Sequence, residues 1–162
     1  MLSRRLRLAA IGQLGELGPA AAPAVDVVLE ALRTEERTGR AGVPQWISVA
    51  YALRRISPTN RAAIAILLQR LENAQGLDRL NIGTELVRFD PSESHGLEVL
   101  AETLRSDPEA NNRDYAAYVL RQAGPGARAV IPALKAALTD TDERVRKAAA
   151  SALRKVEPAG PR

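Results

Sequence analysis

The 162-residue sequence predicts an all-α fold of about four and a half helical hairpins, and three observations carry that expectation. Prolines recur at positions 19, 58, 91, 125 and 158, at intervals of 33 or 34 residues apart from one longer first step. Apolar residues stand at matching helical offsets on both sides of these prolines. The apolar residues are mainly Ala, Leu, Ile and Val, and aromatics make up only 3% of the chain. Ala and Leu are strong helix formers, whereas strands favour β-branched and aromatic residues.

The element before each proline reads as a helix, termed A. Two residues before the prolines stand Leu17, Ile56, Phe89, Ala123 and Val156. Five before stand Leu14, Leu53, Leu86, Leu120 and Leu153, and nine before stand Ala10, Val49, Ile82, Ala116 and Ala149. Twelve before stand Arg7, Trp46, Arg79, Arg113 and Arg146. Steps of three and four keep these side chains on one helical face. Proline lacks an N–H and disfavours helix in the residue before it, so it closes each A helix.

A second helix, B, follows each turn. Val25, Val28 and Leu32 follow Pro19 at offsets that recur as Ile64, Leu67 and Leu71, as Leu97, Leu100 and Leu104, and as Ile131, Leu134 and Leu138. Gly18-Pro19 and Gly124-Pro125-Gly126 are turn formers, and Pro23 and Pro132 are expected in the first turn of a B helix. Asp107 and Asp140-Thr141-Asp142 stand where one repeat hands over to the next, where Asp can cap the following helix. The repeats are expected at 3–37, 44–75, 77–107, 111–140 and 142–158 of a single domain, with an insertion at 38–43 and a tail at 159–162. The fifth has an A helix only. One such hairpin cannot bury its apolar face alone; stacking in a row buries it.

The segments from Asn112 to Pro125 and from Glu143 to Leu153, with their Arg, Ala, Leu and Gly-Pro pattern, resemble the HEAT-like repeat, in particular the short bacterial type named after phycobilisome lyases. That resemblance implies a right-handed α-α superhelix with A helices convex and B helices concave. It implies binding and scaffolding rather than catalysis. Tetratricopeptide arrays want Trp, Tyr and Phe at set places, and ankyrin arrays want a Thr-Pro-Leu-His turn; neither pattern is present.

No catalytic site is expected. The chain has no cysteine, which excludes thiolate metal sites, disulfides and cysteine nucleophiles. Its one histidine, His95, has only Glu93 and Glu98 nearby in sequence, too few ligands for a metal. HEAT-fold hydroxylases hold iron through repeated His-Glu pairs, and a second histidine is missing here. No phosphate loop, dinucleotide fingerprint or nucleophile elbow appears, and no cofactor is expected. The basic start, Met1 to Leu8, leads into no apolar segment, so neither a signal peptide nor a membrane span is expected and a cytoplasmic location is.

The net charge of +4 divides unevenly. The A segments sum to +7 and the B segments to −5, with Arg37 and Arg40 of the insertion supplying the remaining +2. The expected function is therefore a non-enzymatic module that holds a protein or peptide on the B face, through Glu30, Arg33, Gln69, Glu72, Glu98, Glu102, Arg105 and Lys135. Two alternatives stand beside it. One is nucleic-acid binding through a basic A-side strip of Arg4, Arg5, Arg7, Arg54, Arg55, Arg144, Arg146, Lys147, Arg154 and Lys155. The other is an assembly module or fragment of a larger repeat protein, able to self-associate through an uncovered end. Trp46 is expected as a packed anchor between repeats.

Overall fold

The structure, a computed structural model, describes residues 4–34 and 45–157. The expected insertion at 38–43 and tail at 159–162 lie outside the described residues. All regular structure among the described residues is helical. The A helices are α1 (Arg4–Leu17), α3 (Trp46–Ile56), α5 (Gly76–Phe89), α7 (Ala110–Ala123) and α9 (Glu143–Val156). The B helices are α2 (Val25–Thr34), α4 (Arg61–Leu71), α6 (Ser94–Ser106) and α8 (Ile131–Ala136). Chain contacts divide the molecule into two compact units, Met1–Asn73 and Ala74–Arg162.

Every A helix ends two residues before its proline, and the turns that follow are of two kinds. In the first and fourth repeats Gly18 and Gly124 take φ of +58° and +57°, the left-handed region that only glycine enters without strain. A 3-10 segment follows, Gly18–Ala24 or Gly124–Val130, before the B helix begins. In the second and third repeats a tight turn leads directly to a side-chain cap. Asn60 Oδ1 accepts from the Ala63 N–H at 3.0 Å, and Glu93 accepts from the His95 and Gly96 N–H groups at 3.2 and 2.6 Å. Here B starts three residues after proline rather than six, because the cap supplies the acceptor that a longer lead-in would otherwise have to supply. Pro132 sits in the first turn of α8 as expected, whereas Pro23 lies inside the 3-10 segment ahead of α2.

In the first unit α3 packs along α1. Gly15 permits the approach: a Cβ there would lie 2.9 Å from Ala52 Cα and Cβ. Arg55 crosses the same seam, its Nε donating to the Gly15 carbonyl at 2.8 Å and its Nη2 lying 3.5 Å from Glu16. Trp46 is fully buried, with the Arg70 guanidinium 5.8 Å from the ring centroid. Arg70 also donates to the Leu32 and Arg33 carbonyls, at 2.5 and 3.2 Å, satisfying the C-terminal end of α2.

In the second unit α5 and α6 cross at Gly83 and Gly96, where a Cβ on Gly96 would lie 2.9 Å from the Gly83 carbonyl oxygen. Helix α7 packs on α5 and α6, and α9 packs on α7, around a core that includes Leu100, Leu104, Ala116, Leu120, Leu134, Ala149 and Val156. The recurring arginine explains itself in two repeats. Arg113 Nη1 donates to the carbonyls of Asp107 and Pro108, and Arg146 Nη1 to those of Asp140 and Thr141. Each thus grips the turn five and six residues before it. Arg113 also makes a two-pronged bond to Asp140, at 2.8 Å on both prongs.

Two parts of the expected apolar stripe are not buried. In α1, Ala10 and Leu17 are exposed and Leu14 is half-buried; Ile11 and Gly15 are buried instead. In the fourth B helix, α8 tightens into a 3-10 turn at Ala137–Thr139. A 3-10 turn advances by 120° per residue rather than 100°. Ala137 becomes the buried residue and Leu138 is left 40% exposed.

Candidate partner-recognition surface

All eight residues expected on the B face are exposed. Glu30, Arg33, Gln69 and Glu72 belong to the first unit, and Glu98, Glu102, Arg105 and Lys135 to the second. Glu98, Glu102 and Arg105 share one face of α6, at steps of four and three. Several of these charges are engaged within the chain. Arg33 lies 3.4 Å from Glu30, Glu102 lies 3.3 Å from Arg79 of α5, and Lys135 lies 3.7 Å from Glu157.

A concavity of the second unit lies on the other side, along the seam of α7 and α9. A groove of about 480 Å³ is lined by Asn111, Asp114, Tyr115, Tyr118 and Arg121 of α7 and by Ala148 and Ser151 of α9. Local sequence builds it simply. Asp107 Oδ1 accepts from the Glu109 N–H at 2.9 Å and from the Asn112 side-chain amide at 3.1 Å, which sets the start of α7. Ala116, Ala117, Val119 and Leu120 turn into the core. Tyr115, Tyr118 and Arg121, at steps of three, stand on the opposite side.

The two tyrosine rings stack, with centroids 6.3 Å apart and planes 20° from parallel. The Arg121 guanidinium lies over the Tyr118 ring at 5.4 Å, a cation–π contact. The Tyr115 hydroxyl accepts from Arg88 Nη2 at 3.3 Å, and Arg88 Nη1 in turn lies 2.6 Å from the buried Glu85. Tyr115 is thus braced from α5, whereas Tyr118 remains 44% exposed at the groove. Arg144 Nη1 donates to Asn111 Oδ1 at 3.0 Å at one end.

Electrostatics hold the margins of this seam. The Arg113 hydrogen bonds keep the Asp140 carboxyl below the usual aspartate range. The Arg144 side chain and backbone N–H draw Asp142 down to about 2. His95 lies away from the seam, exposed at the start of α6, with Nδ1 2.9 Å from Glu93. Among the described residues no group of three His, Asp or Glu side chains gathers to hold a metal ion, and no helix is long and apolar enough to cross a membrane.

The basic strip expected on the A side is largely engaged in internal bonds. Arg55 meets Glu16, Arg144 meets Asp142 at 2.9 Å, and Lys147 meets Glu143 at 2.6 Å. Arg146 is turned onto backbone carbonyls. Arg54 and Arg55 flank the Tyr51 ring at 5.4 and 5.9 Å. Tyr51 stands seven residues before Pro58 and Tyr118 seven before Pro125, each followed three residues later by arginine. This second periodicity, on the polar side of the A helices, is the signal that the apolar repeat overshadowed.

Residues 97–161 match the family model of HEAT repeats. The matched stretch includes the helices that form the groove. Comparison with curated proteins and with solved structures gave no match.

Proposed function

We propose, from the HEAT-repeat character of residues 97–161, that this chain is a non-enzymatic recognition module for a protein or peptide partner, and that the partner seats in the α7–α9 groove. The observation that carries the reading is the half-exposed Tyr118 beneath Arg121, beside a groove of about 480 Å³. Tyr and Arg dominate binding energy at protein interfaces because each gives a large contact area together with a polar tip. Its stacked neighbour Tyr115, braced by Arg88, also loses little side-chain freedom on binding. The B-face set supports the reading less, since four of its eight members already pair with charges in the chain. The nucleic-acid alternative is weakened in the same way by the pairing along the A-side strip.

The test is affinity capture from the native host with matched variants. Tyr118→Ala with Arg121→Ala should release a protein that the unaltered chain and a Glu98→Lys, Glu102→Lys variant both retain. The reverse pattern would move the site to the B face. Retention by all three would reject both surfaces. A labelled single strand that shifts at about 50 mM salt and is released as salt rises would instead favour the phosphate reading.

A further inference from the structure

The first hairpin exposes apolar residues at the positions where later repeats bury them. Two residues before the proline, Leu17 is 62% exposed, while Ile56, Phe89 and Val156 are buried. Nine before, Ala10 is exposed, while Val49, Ile82, Ala116 and Ala149 are buried. Eight after the proline, Val27 is 66% exposed, while Ile66, Val99 and Ala133 are buried. Leu6, one turn before Ala10, is 57% exposed, and its counterpart Val145 is buried.

The first unit shows what covers this face in a repeat. On α3 the matching stripe is Val49, Ala52 and Ile56, and Ala52 is the residue met by Gly15 of α1. The stripe is the side that a helix presents to the hairpin before it. On α1 the same stripe is Ala10, Gln13 and Leu17, extended by Leu6. Its shape and polarity are those of a repeat-to-repeat contact, so the surface that fits it is another helix of this type.

We infer that a second copy of this chain covers this face, α1 against α1, in a two-fold dimer. Head-to-tail stacking would instead bring up α9. Helix α1 receives Ala52 of α3 at Gly15; the same repeat position on α9 is the exposed Arg154, with the exposed Lys147 two turns before it. That arrangement buries two cations against the stripe of Leu6, Ala10, Gln13 and Leu17, which holds no carboxylate to meet them. A two-fold contact uses one self-complementary patch twice and closes. Leu6 and Leu17 are eleven residues apart, about 16 Å along a helix. In an antiparallel pair centred between them, Leu6 of one copy meets Leu17 of the other, and Ala10 meets Gln13.

The natural absence of cysteine makes the test direct. The unaltered chain should sediment as a dimer at high micromolar concentration and Leu17→Glu as a monomer, with matching melting temperatures at dilutions where both chains are monomeric, because Leu17 is exposed in the monomer. On mild oxidation a mixture of Leu6→Cys and Leu17→Cys chains should give a disulfide-linked pair that neither gives alone. A monomeric unaltered chain, or a dimer unaffected by Leu17→Glu, overturns the inference. Cross-linking of Gln13→Cys with Arg154→Cys, rather than of Leu17→Cys with Leu6→Cys, shows head-to-tail stacking and overturns it too.

Discussion

Two seams between neighbouring A helices are built from the same repeat and end up differently. Between α1 and α3, Gly15 brings the backbones together and Arg55 bonds across the line of contact. Between α7 and α9, the position of Gly15 is occupied by Arg121, the rim carries Tyr115 and Tyr118, and a groove stays open. The open seam is secured at its margin by the Arg113–Asp140 clamp. One period therefore admits two solutions: small residues close a seam, while large amphipathic residues with a polar clamp hold it ajar.

The largest expected effect comes from breaking the clamp. Arg113→Ala leaves a mostly buried Asp140 without its two-pronged partner and frees two turn carbonyls, for a loss of about 2 kcal/mol, given net values of roughly 1.5–3 kcal/mol for a bond to a charged group. Denaturant unfolding of the variant measures it; a change below about 0.5 kcal/mol would mean that apolar packing alone holds α9 on α7. Next comes the closed seam. Gly15→Ala forces a methyl within 2.9 Å of Ala52, an overpacking cost of about 1–3 kcal/mol against about 1 kcal/mol returned by helix propensity, so the variant should be less stable by about 1 kcal/mol. Gly12→Ala, with nothing within 4 Å, keeps only the propensity gain and should be more stable; thermal melts of the pair isolate the contact.

Tyr118→Ala should lower stability by less, about 0.5–1 kcal/mol for one half-exposed stacked ring, while abolishing partner capture. A stability loss as large as that of Arg113→Ala would make the ring structural. The mildest expected effect near neutral pH is titration of Asp140. Its folded pKa is depressed, so its contribution is complete above the ordinary aspartate value near 4 and declines as pH falls through the depressed value. Acid titration of stability should show a loss below about pH 4 that Arg113→Ala removes.

The ends of the A helices were legible from the prolines, because a missing N–H acts locally and identically in every repeat. The starts of the B helices were not, because Asn60 and Glu93 cap at once whereas Gly18 and Gly124 lead into 3-10 segments. The stripe pattern named Ala10 and Leu17 as core residues on sequence period alone; burial of that face depends on a neighbour, which a period does not supply. The aromatic groove escaped notice because Tyr115 and Tyr118 fall between the apolar offsets. The pairing of Tyr51 with Arg54 and of Tyr118 with Arg121 at one repeat position would have marked it.

The grip of Arg113 and Arg146 on the turns behind them has a bearing on how such a chain can be cut and spliced. The helix start is the obvious joint, yet a join made there would separate an arginine from the carbonyls it holds. A module that runs from the turn through the helix keeps Asp107 with Arg113 and Asp140 with Arg146, and a join between two such modules restores the Arg113–Asp140 pair. Shortening or lengthening the array by whole modules in that frame keeps both guanidinium groups with their own turns, and trimming four residues later does not.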